Sequence, residues 1–141
     1  MTELALPSAV RTAPITPRGA RILLVDDDDP VRRSLQLLLQ ATGYDVRAYA
    51  SSIRAADDLQ ARSCDCLIAD LMLPGLDGIA LLGCLRRSGW TGPAILISGL
   101  LDQNEVAAAN AAGFGAIFAK PTSESVLVRA IERMLPAPRE S

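Results

Sequence analysis

Short apolar runs recur along the chain, each followed by a turn-forming cluster and then by apolar positions at helical spacing. Ile22 to Val25 is the first run, continuous and rich in branched residues, the pattern of a strand buried on both faces. Asp29 and Pro30 read as an N-cap and a first-turn proline, and Val31, Leu35, Leu38 and Leu39 fall on one face of a helix that Gly43 ends. Tyr44 to Ala48 alternates as a second strand, and Ser51 or Ser52 can cap a helix running to about Arg62. Cys64 to Ala69 is the third strand, ending in Asp70. Pro74, Gly75 and Gly78 then mark a turn before a helix with Ile79, Leu82 and Leu85 inward.

Ala94 to Ile97 reads as a fourth strand, ending in Ser98 and Gly99. Asp102 with Glu105 three residues later forms a capping-box start for an alanine-rich helix closed by Gly113. Ala116 to Phe118 is the fifth strand, and Leu127, Ile131, Met134 and Leu135 share one face of a last helix before Pro136 and Pro138. Five strands alternating with five helices over short connections predict an α/β fold, one open doubly wound parallel sheet covered on both sides. Residues 1–19, with Pro7, Pro14 and Pro17 and no periodicity, read as a flexible tail; 20–136 form the single domain and 137–141 a second tail.

Composition narrows the chemistry. The length of 141 residues suits one domain with a core, and a net charge of −2 without a basic stripe argues against direct nucleic-acid binding. With no histidine, the three cysteines Cys64, Cys66 and Cys84 do not make a usual zinc grouping. Cys64 and Cys66 are expected on opposite faces of the sheet, in a reduced, cytoplasmic protein. No basic-then-apolar leader and no membrane-length apolar run is visible. The chain is thus read as having no membrane partner.

Four consecutive carboxylates, Asp26 to Asp29, follow the first strand. Like charges so close, at the end of a buried strand, call for a balancing cation. In an open parallel sheet the ligand site lies outside the carboxyl ends of the strands, where this pattern places Asp26, Asp27, Asp70, Ser98 and Lys120. Three acids there make an oxygen-only site suited to Mg²⁺. Lys120 is the only lysine, every other basic side chain being arginine, and a compact ammonium can move between carboxylate and phosphate. Ser98 offers a hydroxyl beside the small Gly99, although a strand-ending serine is also common. Asp28 and Asp29 are explained by the helix start alone.

Four fragments in order resemble the receiver domain of two-component response regulators: Leu24-Val25-Asp26-Asp27-Asp28, the stretch from Leu67 to Gly78 around Asp70 and Pro74-Gly75-Leu76-Asp77-Gly78, Ile95-Leu96-Ile97-Ser98-Gly99, and Phe118-Ala119-Lys120-Pro121. The resemblance spans roughly Arg21 to Leu135. It implies a flavodoxin-like fold with strand order 2-1-3-4-5. It further implies that Asp70 is the phosphoacceptor for a histidine kinase or histidine phosphotransfer protein. Asp26, Asp27, Asp70 and the main-chain carbonyl of Met72 would hold Mg²⁺, while Ser98 and Lys120 would contact the phosphoryl group. The Lys120-Pro121 bond would be cis, and Met72 and Leu100 would tune hydrolysis. A downstream protein, or a second copy in a phosphorylation-dependent dimer, would meet the face formed by residues 102–135.

One position departs from the family pattern: three residues before Lys120, where an aromatic often stands, this chain has Ile117. Phe114 and Phe118 read as packing residues. The few residues after Leu135 suggest a stand-alone receiver without an output domain. Two other readings stay open, a phosphorylation-independent binding module and, more remotely, an Mg²⁺-dependent phosphatase with an aspartyl nucleophile at Asp26, since Asp26 and Asp28 echo an Asp-x-Asp opening. The domain is not expected to be a turnover enzyme.

Overall fold

In the computed structural model of the protein, residues 19–99 and 101–135 are described. The two expected tails, apart from Gly19, and Leu100 therefore lie outside the described residues. The apolar runs form β1 (Arg21–Val25), β2 (Asp45–Tyr49), β3 (Cys66–Asp70), β4 (Ala94–Ser98) and β5 (Ala116–Ala119). They alternate with α1 (Asp29–Thr42), α2 (Ser52–Asp57), α3 (Gly78–Arg87), α4 (Gln103–Ala112) and α5 (Glu124–Met134). All pairings are parallel, in the order β2-β1-β3-β4-β5. This is the flavodoxin-like order that the resemblance to receiver domains implies.

Burial on both faces explains why β1, β3 and β4 read as unbroken apolar runs. Leu23, Val25, Leu67, Ala69 and Leu96 pack on one side with Leu81, Leu82 and Leu85 of α3 and Ala109 of α4. Ile22, Leu24, Cys66, Ile68, Ile95 and Ile97 pack on the other with Leu39 of α1 and Leu127 and Ile131 of α5. Cys64 and Cys66 do belong to different layers, but strand alternation is not the reason, since residues two apart in a strand share a face. Cys64 precedes β3 and closes a 3₁₀ turn over Leu59–Ser63. Burial pushes the Cys64 thiol up to about 11 and that of Cys66 to about 12, so both stay neutral.

Two expected helix boundaries are corrected. Asp28, not Asp29, caps α1: its side chain accepts from Val31 N at 3.2 Å and its carbonyl accepts the first helical bond, from Arg32 N. Asp29 is instead the first helical residue and pairs with Arg32 at 2.7 Å. The second helix does not run on to Arg62. Asp58 leaves the helix in an extended conformation, where its carboxylate takes bonds from Arg47 and Tyr49 of β2 and caps the 3₁₀ turn through Gln60 N. The capping box of Asp102 and Glu105 and the left-handed Gly113 that ends α4 are present as expected.

Gly78 seats the start of α3 directly on the end of β3. A Cβ there would come within 2.5 Å of the Asp70 carbonyl oxygen and 2.9 Å of Leu96 Cδ1. Gly78→Ala is therefore expected to lower the unfolding free energy by roughly 1–3 kcal/mol through overpacking. A urea midpoint equal to that of the parent protein would refute this close fit.

Candidate functional site

Parallel register assembles the site. Val25 faces Ala69 across the β1–β3 ladder, so the next residue on each strand, Asp26 and Asp70, meets the other. Asp70 faces Ile97 on β4, and Ser98 faces Ala119 on β5, one residue before Lys120. Side chains far apart in sequence thus converge at the carboxyl edge of the three central strands and β5. The Lys120-Pro121 peptide bond is cis.

Lys120 bridges the two buried acids. Its Nζ lies 2.7 Å from Asp70 Oδ2 and 3.1 Å from Asp26 Oδ2, with the two carboxylate side chains almost wholly buried. Asp26 Oδ1 accepts from the Asp28 amide at 2.9 Å, and Asp70 Oδ1 from the Met72 amide at 3.2 Å. Burial pushes the Asp26 carboxyl above the usual carboxylate range, against the pull of the Asp28 amide and Lys120. Burial alone would lower Lys120, but its bonds to Asp70 and Asp26 outweigh that and hold the ammonium above its ordinary value.

Carboxylate oxygens of Asp26, Asp27 and Asp70 all lie within 4.8 Å of one another. Asp27 is the exposed member, open to solvent above two buried partners. An all-oxygen set of this kind, with one open side, fits a hard divalent cation that keeps several waters. Ser98 is fully buried at the end of β4, one residue beyond the register partner of Asp70, and its carbonyl accepts from Lys120 N at 2.8 Å. Met72 is 66% exposed. The carboxylates of Asp28 and Asp29 are engaged at the start of α1 and stand apart from the three-acid group.

Two supporting residues escaped the sequence reading. Arg32 reaches back from α1 to the Asp26 carbonyl at 2.9 Å while holding Asp29, so it ties down the loop that carries Asp26 and Asp27. Its spacing from Asp29, three residues along a helix, was the available signal. Ser52 was visible only as one of two capping serines, whereas Ser51 does the capping. Ile117 is half-buried and packs with Leu101 and Ala112 against the core layer beneath α3 and α4.

Fold and pocket together define a class: flavodoxin-like α/β domains with an acidic pocket bridged by a lysine at the carboxyl edge of the sheet. The family model for the response regulator receiver domain matches residues 22–132, and the chain belongs to that family. The transcriptional regulatory protein CseB of Streptomyces coelicolor is 34% identical over 114 residues, which cover 81% of this chain and 48% of CseB. The response regulator protein TodT of Pseudomonas putida F1 is 32% identical over 118 residues, covering 84% of this chain and 52% of TodT. The chain thus spans about half the length of the curated relatives it matches.

Among solved structures, the signal receiver domain of a signal transduction histidine kinase from Syntrophus aciditrophicus matches at TM-score 0.75 and 28% identity, covering 83% of this chain and 90% of that one. The chemotaxis protein CheY4 of Vibrio cholerae matches at TM-score 0.77 and 24% identity, covering 83% and 99%, a likeness of fold. No helix among the described residues is long and apolar enough to cross a membrane.

Proposed function

We propose that this receiver domain accepts a phosphoryl group on Asp70 from a phosphohistidine of a histidine kinase or phosphotransfer protein. The observation that carries the reading is the Asp70 carboxylate, buried at a strand end, within reach of two further acids and 2.7 Å from the only lysine. A carboxylate oxygen of Asp70 attacks phosphorus, the P–N bond breaks with its electron pair passing to the ring nitrogen, and the imidazole leaves neutral because the donor's other ring nitrogen already carries a proton. Lys120, already bridging Asp70 and Asp26, transfers a hydrogen bond from the carboxylate to the incoming phosphoryl oxygens. The Ser98 hydroxyl binds another of them.

Asp26, Asp27, Asp70 and the Met72 carbonyl are the residues that would hold Mg²⁺. When bound, the ion supplies positive charge that offsets repulsion between the carboxylate and the phosphoryl oxygens. The new charge at Asp70 draws Lys120 and Ser98 inward and biases the face of α4, β5 and α5, residues 102–135, toward a partner protein or a second phosphorylated copy. Ile117, β-branched and packed in the core layer, has a stiff side chain. It favours a secondary reading in which this face binds its partner without phosphorylation.

Intact-mass measurement after incubation with a small acyl-phosphate donor tests the main reading. One base-labile phosphoryl adduct is expected with Mg²⁺ and none with chelator. Asp27→Ala is expected to need at least roughly tenfold more Mg²⁺ for the same labelling, as loss of one metal-holding group implies. Labelling indifferent to chelator would defeat the metal assignment, and no labelling under any condition would leave the phosphorylation-independent module.

A further inference from the structure

We propose that Ser52 is a positioning residue for the metal pocket: its hydroxyl sets the shape of the loop after Asp70 and so places the Met72 carbonyl. This rests on the reading of Asp26, Asp27, Asp70 and Met72 as the Mg²⁺ site. Ser52 is the first residue of α2 and is fully buried. Its Oγ donates to the Leu76 carbonyl at 2.6 Å, lies 3.2 Å from the Pro74 carbonyl, and accepts from the Leu76 amide at 3.3 Å. One side chain from 24 residues away thereby engages both main-chain groups of Leu76, as a neighbouring strand would.

The other main-chain ties in this loop are at its ends. Met72 N donates to Asp70 Oδ1 at the entrance, and Gly78 N donates to the Leu71 carbonyl across the neck. The Met72 side chain, mostly exposed, does little to anchor its own backbone, so the direction of its carbonyl depends on how the following residues are held. Those residues are held from α2. Ile53 sits against the crest at Gly75, where φ is +85° and a Cβ would come 2.6 Å from Ile53 Cδ1; Ser52 meets the loop on either side of that crest, at Pro74 and Leu76. A buried hydroxyl that donates to one carbonyl and accepts from one amide of a single loop, beside a group that must point at an ion, acts as an outer support to the pocket.

The test is calorimetric Mg²⁺ titration of the full chain, as wild type, Ser52→Ala and Asp27→Ala, at a temperature where circular dichroism shows each fully folded. Ser52→Ala is expected to weaken Mg²⁺ binding roughly tenfold, the usual effect of losing an outer support. Hydrogen exchange at the Leu76 amide is expected to quicken alongside. Phosphoryl uptake should slow at limiting Mg²⁺ and return to the wild-type rate at saturation, because Asp70, Ser98 and Lys120 are untouched. If Ser52→Ala does not fold, Ser52→Cys, which keeps an atom in place but hydrogen-bonds weakly, is titrated instead under the same expectation.

A Ser52 variant that binds Mg²⁺ within about twofold of a wild type that Asp27→Ala impairs overturns the inference while leaving the metal site standing; its effect would then fall short of the outer-support range. A wild type that binds no Mg²⁺ overturns the metal site and this inference with it.

Discussion

Asp70→Asn is expected to take up no phosphoryl group from a small donor or from a phosphohistidine protein, at any Mg²⁺ concentration, while keeping its fold. The substitution preserves shape and one acceptor for the Met72 amide or for Lys120, but the carboxamide has no anionic oxygen to attack phosphorus. Lys120 keeps Asp26 as a partner at 3.1 Å, so no buried charge is stranded. Two rival carboxylates stand close by, which makes the outcome informative. Asp26 has one oxygen on the Asp28 amide and the other on Lys120, and its burial favours the protonated form, a poorer nucleophile. Asp27 is exposed, and its carboxylate lies within 4.8 Å of that of Asp70. An adduct that persists in Asp70→Asn and maps by peptide mass to Asp26 or Asp27 would overturn the assignment.

Lys120→Met is expected to destabilise the metal-free protein by about 3–5 kcal/mol, the usual cost of removing one partner from a buried ionic cluster. Lys120 is the cation between two carboxylates whose side chains are 3% and 7% exposed. Methionine fills much of the same volume but leaves those charges to repel at close range in a weakly solvated pocket. Mg²⁺ should recover part of the loss, since it would bind the ionised cluster in the folded state only. Urea unfolding with and without Mg²⁺ measures both effects. A variant as stable as wild type in chelator would mean that Lys120 is not what balances Asp26 and Asp70. Phosphoryl uptake should also slow by an order of magnitude or more, as the ammonium no longer meets the charge developing on phosphorus.

Much of the fold was legible because its signals are local. The runs at Ile22, Ile68 and Ile95 are apolar without interruption because both faces of those strands are covered by helices, and such runs have few other stable uses. The box of Asp102 and Glu105 and the glycine at position 113 announce a helix through bonds within a few residues. Boundaries set from a distance were misread. The second helix stops at Asp58 because Arg47 and Tyr49, on a different element, take its carboxylate. The first helix was misplaced by one residue for a local reason: among consecutive aspartates, Asp28 is the cap because its carbonyl accepts the first helical bond, from Arg32. Arg32 and Ser52 support the pocket through main-chain contacts, and a side chain's choice of a particular carbonyl leaves no periodic trace.

By itself the sequence determined the alternation of strands and helices, the doubly wound class, and the set of residues delivered to the ends of the strands, since each depends on spacing within a short window. Tertiary structure alone decided that Lys120 reaches Asp26 and Asp70, which are 94 and 50 residues away, and that the three acids stand within one cation's reach. It also decided that a serine from α2 holds the loop after β3. Register between parallel strands and the seating of Gly78 on Asp70 fix those distances, and both arise from packing the whole sheet at once, which no short window contains.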